Sequence, residues 1–190
     1  MSRVNFGPKT WLFPEPALVI ATYNEDGSVD AMTAAWGGVC QETPPGVMID
    51  LAADHRTTAN IRRTKAFTIA IPTVDTVVPT DYFGIVSANK EPRKFEKSGL
   101  TARKSENVDA PIIEEYKMVL ECKLFDEFVI KEDVRVVGEI VNVSADESVL
   151  TDGKIDAKKL KPIAWNPITR EYVALGEVVG LAWNIGKSLM

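Results

Sequence analysis

Three short clusters in this sequence combine residue types that can do chemistry. Met32-Thr33-Ala34-Ala35-Trp36-Gly37-Gly38 sets one hydroxyl and one large aromatic among residues with almost no side chain. A flat ligand can therefore come close to backbone N–H and C=O groups there, although the same composition also lets two strands or two subunits pack tightly. His55-Arg56-Thr57-Thr58 falls where a strand ends and a helix begins. Free amides, hydroxyls and a guanidinium suit an anion such as phosphate, and an ordinary threonine N-cap with solvated charges is the alternative. Ser87-Ala88-Asn89-Lys90, followed by Arg93-Lys94-Phe95, brings hydroxyl, amide and cations beside an aromatic. Alone it reads as a solvated loop; joined to residues 55–58 it becomes a second wall for a phosphorylated, aromatic ligand. His55 is the only histidine, and without a fixed partner it argues little for acid–base catalysis.

The elements that must position these clusters are mostly strands. Ala17–Tyr23 is an apolar run of β-formers, and Asn24-Glu25-Asp26-Gly27 supplies a tight hairpin turn that returns Ser28–Trp36 antiparallel. Pro44-Pro45-Gly46 breaks the chain before a strand over Val47–Ala53. A short helix over Thr57–Lys65 and a strand over Ala66–Ile71 follow. Thr73–Gly84 reads as helix, with Thr73 as N-cap and Val74, Val77 and Val78 on one side despite Pro79. Residues 85–115 read as loop with a helical turn near Arg93–Lys97. Residues 116–130 form a long strand with a bulge near Phe125–Phe128, paired across Lys131-Glu132-Asp133 with residues 134–145. A charged excursion over 146–162 precedes a last strand at Tyr172–Leu181. Roughly six antiparallel strands and short helices predict a mainly β fold in a closed or partly open barrel, with residues 73–115 covering its surface.

Bulk composition sets limits. At 190 residues and 45% hydrophobic content, the chain is expected to form a single domain, 1–190, with a core that needs no disulfides. A net charge of −5 argues against a nucleic-acid footprint. Cys40 and Cys122 are too few for a disulfide framework, no metal knuckle surrounds them, and Cys122 alternates with Leu120 and Leu124 as a buried thiol would. No signal-peptide or membrane-length apolar stretch is present, so a cytoplasmic location without membrane attachment is expected. No P-loop, GxGxxG, HExxH, CxxC or GxSxG pattern occurs, which removes the common kinase, Rossmann-dehydrogenase and hydrolase assignments.

The order of segments resembles the flavin reductase-like, FMN-binding split-barrel family, and within it the flavoredoxin-type flavoproteins. The likeness runs through residues 13–36, Pro44-Pro45, 55–72, 81–101, 120–122, 136–143, and Trp165 with Tyr172 and Gly176. It implies an antiparallel split β-barrel of Greek-key type that binds FMN as an oxidoreductase. Met32, Thr33, Ala34, Ala35 and Trp36 would lie along the isoalloxazine ring. Arg56, Thr57 and Thr58 would hold the phosphate and ribityl chain, aided by Ser87, Asn89 and Lys94. The resemblance also implies a homodimer with FMN near the interface and Trp165 capping the ring from either chain. NADH, NADPH or a redox protein would be the donor. Asp30 stands where many relatives carry Asn, Ala88 where a glycine is common, and Asp133 where nicotinamide-dependent relatives often carry a histidine. A non-catalytic barrel holding flavin or another planar ligand, and a barrel that binds nothing, are the competing readings.

Overall fold

The computed structural model describes residues 2–190. In chain order its elements are β1 (Glu15–Pro16), β2 (Leu18–Tyr23), β3 (Val29–Ala34), β4 (Gly37–Gln41), β5 (Gly46–Ala52), α1 (Arg56–Thr64) and β6 (Ala66–Ala70). There follow α2 (Val77–Ile85), α3 (Lys94–Ser98), β7 (Ala102–Lys104), β8 (Pro111–Ile113), β9 (Met118–Ile130) and β10 (Asp133–Ala145). The chain finishes with β11 (Leu150–Thr151), β12 (Lys154–Ile155), α4 (Ala157–Leu160), β13 (Ile163–Asn166) and β14 (Glu171–Ala174), with a 3-10 turn over Ile185–Leu189.

Seven strands form one antiparallel sheet in the order β3-β2-β6-β9-β10-β5-β4. Its two outermost strands, β3 and β4, are consecutive in the chain and joined only by Ala35 and Trp36. The sheet therefore curls until its ends meet, but no ladder connects them, and this gap is the split in the barrel. Gly37 is needed at the corner, because a Cβ there would lie 2.9 Å from Met48 O and 3.0 Å from Leu18 Cδ1. The inside follows from period-two alternation. Leu18 and Ile20, Ile49 and Leu51, Phe67 and Ile69, Cys122, Val134 and Val136 share one buried cluster, and Ile61 of α1 joins it. Gly138 lets the Phe67 ring pass against β10, since a Cβ would meet Phe67 Cζ at 2.5 Å.

The outer face of β2, β3, β6 and β9 is covered. Val19, Ala21, Ala31, Ala70 and Val119 pack beneath Phe83 of α2, Phe95 of α3 and Ile112 and Ile113 of β8. Residues 73–115 thus cover the barrel, as their polar, interrupted pattern predicts. The expected bulge occurs at Phe125, where the pairing shifts between Val137/Gly138 and their partners Asp126 and Leu124.

Several expectations are corrected. The helix expected over Thr73–Gly84 divides into a 3-10 turn at Val74–Thr76 and α2, with a capping box between Thr73 and Thr76. Pro79 sits in the first turn of α2, where its missing N–H is harmless. Val74 and Val78 face solvent, and Thr80 and Phe83 form the buried side. The helical turn expected near Arg93–Lys97 is α3, but the rest of the segment read as loop contains the β7–β8 hairpin, and β4 was not foreseen. The last strand ends at Ala174 rather than Leu181, because β14 pairs only with the four residues of β13.

Candidate functional site

Two clefts flank the end of β3. The first is lined by Asp30, Met32 and Thr33 of β3, by His55, Arg56 and Thr57 at the start of α1, by Phe83–Ile85 of α2, by residues 86–88, and by Lys94. It is polar. The second is wider, about 720 Å³, and mostly apolar, with Trp11, Leu12, Pro14, Ala35, Trp36, Val39 and Met48 in its walls and Glu15 and Asp50 beside them. Met32 and Thr33 line one cleft and Ala35 and Trp36 the other, so the joint between β3 and β4 serves both.

The polar cleft is built on an open helix start. His55 occupies the N-cap position without making a side-chain capping bond. The amides of Arg56, Thr57 and Thr58 consequently lack intrahelical partners, and the positive end of the helix dipole lies there. The threonine hydroxyls are committed inward: Thr57 donates to Asp30 Oδ2 at 2.5 Å and Thr58 to Ala52 O at 2.8 Å. The backbone of Thr57, rather than its side chain, is what a ligand would meet, and Thr58 lies behind it. Arg56 donates through Nε to Asn89 Oδ1 at 3.1 Å, and Asn89 Nδ2 donates to Asp54 O at 2.9 Å. Asn89 is thus spent on both sides, fixing Arg56 while leaving its Nη groups for an anion. The Ser87 hydroxyl accepts from Asn89 N at 3.3 Å, which holds the loop in a turn.

Deeper in, Lys94 is buried and donates to Phe83 O at 3.1 Å, with its ammonium 5.9 Å from the Phe83 ring centroid. Burial lowers its pKa and the nearby Asp30 charge opposes that shift. Thr33 donates to Thr80 O at 2.5 Å, tying β3 to α2 and leaving its oxygen able to accept. Two buried atoms among the cleft residues, Asp30 Oδ1 and His55 Nδ1, have no partner. Unpaired buried polar atoms are costly, so a cleft carrying two of them is suited to a polar ligand. A phosphate, a hydroxylated chain and a flat ring would each find matching groups here, in that order from α1 to the β3–β4 joint.

The sequence candidates divide accordingly. Met32, Thr33, Arg56, Thr57 and Lys94 come together in the polar cleft, with Ser87 in its wall and Asn89 behind Arg56. Thr58 is fully buried behind them, and Ala34 packs into the barrel core. Ala35 and Trp36 line the apolar groove, where Trp36 is 52% exposed. Trp165 lies on β13 opposite Glu15, with its ring 5.4 Å from Tyr172, and lines neither cleft within this chain. Sequence reasoning passed over Phe83–Ile85, whose only signal was a helix ending at a glycine beside the Ser87 loop. Glu15, 4% exposed with Oε2 unpartnered, was missed as well. Burial pushes its carboxyl up, and Trp36 opposes that shift.

No group of three or more metal-ligating side chains is found among the described residues. No described helix is long and apolar enough to cross a membrane.

Comparison with known proteins places this architecture. The flavoredoxin of Desulfovibrio vulgaris (Miyazaki F) superposes with a TM-score of 0.92 at 37% identity, covering 97% of this chain and 100% of that one. A flavoredoxin from Methanosarcina acetivorans superposes at 0.91 with 26% identity over the full length of both. An uncharacterized protein of Archaeoglobus fulgidus is 30% identical over 146 residues, covering 77% of this chain and 80% of its own. Residues 10–167 match the flavin reductase like domain. That match spans most of the chain and the fold agrees with it from end to end, so the chain belongs to the flavin reductase like family of split-barrel flavoproteins.

Proposed function

We propose that the chain is an FMN-dependent oxidoreductase of the flavoredoxin or flavin reductase type, passing electrons between a nicotinamide or redox-protein donor and an acceptor. One observation carries the reading: an open helix start beside Arg56 lies at one end of a polar cleft whose other end, at Thr33, adjoins an apolar aromatic groove. FMN has the same polarity along its length, phosphate at one end and a flat ring at the other.

FMN supplies the electron-accepting chemistry, and the protein binds, orients and tunes it. The amides of Arg56 and Thr57, with the Arg56 guanidinium held by Asn89, would receive the phosphate together with Ser87, while Thr58 supports them from behind. Asp30, His55 and Lys94 face the polyol chain. Met32, Thr33, Ala34 and Ala35 offer backbone groups and one hydroxyl oxygen along the ring. Donors aimed at its polar edge stabilise negative charge that develops there. Trp36 would cover the ring from the groove and limit access of solvent.

A homodimer belongs to the same reading. Trp36, Val39, Phe125, Phe128 and Val129 are all more than half exposed, as is Trp183 near the C-terminus at 95%. Exposed apolar side chains of this size suit an interface, and a second copy would bring a Trp165 toward the cleft. A cytoplasmic setting fits the free, exposed thiol of Cys40. The charge of −5 leaves nucleic acid an unsuitable partner.

An absorption spectrum of the purified protein with and without FMN tests the reading, followed by anaerobic NADH or NADPH. Bound flavin that bleaches identifies a nicotinamide-driven reductase. Bound flavin that does not bleach identifies a carrier fed by a redox protein or a non-catalytic holder, which a reduced ferredoxin-type donor then separates. Failure to bind FMN rejects the proposal; binding at 100 times the Kd raises stability by ~2.7 kcal/mol, so a missing thermal shift is decisive.

A further inference from the structure

The apolar groove holds a carboxyl that no described cation neutralises. Glu15 lines it, is 4% exposed, and has no partner for Oε2. None of the ion pairs among the described residues includes it. Burial pushes the carboxyl up, and a hydrogen bond with Trp36 opposes that shift. The other acid in the walls is already engaged, since Asp50 Oδ2 lies 3.2 Å from Arg135 Nη2. A buried carboxyl with a free oxygen is costly unless something donates to it.

Glu15 is not free to withdraw. β1 pairs with β13, Glu15 opposite Trp165 and Pro16 opposite Ala164, and the prolines on either side restrict the backbone further. Around it the walls are apolar and aromatic, with Trp11, Leu12, Pro14, Trp36 and Met48. Trp11 already has the Lys9 ammonium 5.7 Å from its ring centroid, so this wall accepts positive charge. Trp11 and Leu12 are exposed and precede β1 in a stretch without helix or strand, so few contacts oppose their giving way to a ligand.

We propose that the groove binds a small organic cation with a flat, N–H-bearing head, an amidinium or guanidinium, which lies against the aromatic wall and donates to Glu15 Oε2. The inference stands apart from the flavin reading, because no residue of the polar cleft takes part. A volume of about 720 Å³ is that of a small-molecule site. A flat cation satisfies the walls and the carboxylate together, through its π-face and its paired donors. A neutral ring fills the apolar walls and leaves the charge of Glu15 uncompensated. An anion meets Glu15 and Asp50 with Lys9 as the one cation in the described lining to offset them.

The test uses probes of one shape and different charge: benzamidine, a cation; benzamide, neutral; and benzoate, an anion. Affinities are read from the tryptophan indole N–H signals in NMR titrations of the whole chain. Benzamidine is expected to bind at least about tenfold more tightly than benzamide, with benzoate weakest. Glu15→Gln keeps the side chain's size and removes its charge; it is expected to weaken benzamidine about tenfold and to change benzamide less than about twofold. Trp11→Ala leaves Glu15 in place and is expected to weaken benzamidine about two- to fivefold. Equal affinity for benzamidine and benzamide would overturn the proposal. So would benzamidine binding undiminished in Glu15→Gln, or no benzamidine binding at its highest soluble concentration. Shifts confined to the indoles of Trp165 and Trp183, which lie outside the groove, would overturn it as well. No flavin is added, so failure here leaves the flavin reading untouched.

Discussion

The polar cleft draws its walls from five places in the chain: β3, the start of α1, the end of α2, residues 86–88 and α3. The apolar groove takes nearly all of its walls from two neighbouring stretches, residues 9–16 and 35–50. In the polar cleft almost every functional group is set by a group from another segment: Arg56 by Asn89, Thr57 by Asp30, Lys94 by Phe83. In the groove, Trp36 and Val39 are largely exposed and commit to little. Changes in the first cleft are therefore transmitted between segments, whereas changes in the second stay local.

The largest expected effect lies at the outer end of the polar cleft. Arg56→Ala is expected to weaken FMN by about 10- to 100-fold, the range for losing a charge-assisted contact, while riboflavin changes less than threefold. Titrations with both ligands check this, and an equal loss for riboflavin would break the assignment of the phosphate end.

A control outside both clefts comes next. Glu121 is buried, and burial alone would push its carboxyl up; hydrogen bonds from Ser105, Asn142 and Asn107 outweigh this and hold it below its ordinary value of 4.5. Glu121→Gln turns an amide N–H₂ toward those donors and is expected to cost about 1–3 kcal/mol at neutral pH without altering flavin affinity. Because the folded pKa is depressed, the stabilisation is complete above the unfolded value and is lost as pH falls through the folded one. The gap between wild type and variant should therefore shrink below about pH 4.5 in urea titrations. A gap that widens there would reverse the argument.

On the groove side, Trp36→Ala is expected to perturb the bound-flavin spectrum and to weaken FMN, riboflavin and lumiflavin alike, by roughly three- to tenfold. Melting temperature should change little, because the ring is 52% exposed. An unchanged spectrum and affinity would remove Trp36 from the flavin site. The smallest effect is expected from Asn89→Ala, which frees Arg56 without removing it: FMN should weaken by about two- to fivefold and riboflavin not at all. Matching losses for both would show that Asn89 touches the ligand directly.

Most of the barrel was legible because its strands carry their own signals. β2, β6 and β9 are runs of β-formers, Asn24–Gly27 makes the hairpin turn with Gly27 at φ +84°, and the Phe125 bulge breaks the alternation visibly. β4 was illegible because Gly37-Gly38-Val39-Cys40-Gln41 has little strand propensity; pairing with β5 imposes its conformation. The C-terminal strand was overcalled because Val178, Val179 and Leu181 are apolar without a partner strand inside the chain. For the candidate site, residue types at 55–58 and 87–94 were enough to suggest two walls of one cleft, and only the resemblance to a known family added residues 32–33. Their division of labour was not readable. Whether Thr57 turns its hydroxyl to a ligand or to Asp30, and whether Asn89 touches an anion or steadies Arg56, depends on contacts between segments that adjacent residues do not report.

The strand order has a consequence for kinetics. The pairs β2–β3, β4–β5 and β9–β10 close across short turns, whereas β2–β6, β6–β9 and β5–β10 join distant parts of the chain. Local hairpins form early and long loops close late. α1 lies within the loop from β5 to β6, and α2 and α3 lie within the loop from β6 to β9, so the polar cleft is assembled by the late closures. Contacts made after the folding barrier slow unfolding and leave the folding rate almost untouched. A ligand in that cleft would accordingly act as a latch on the finished molecule, lengthening its lifetime without hastening its formation.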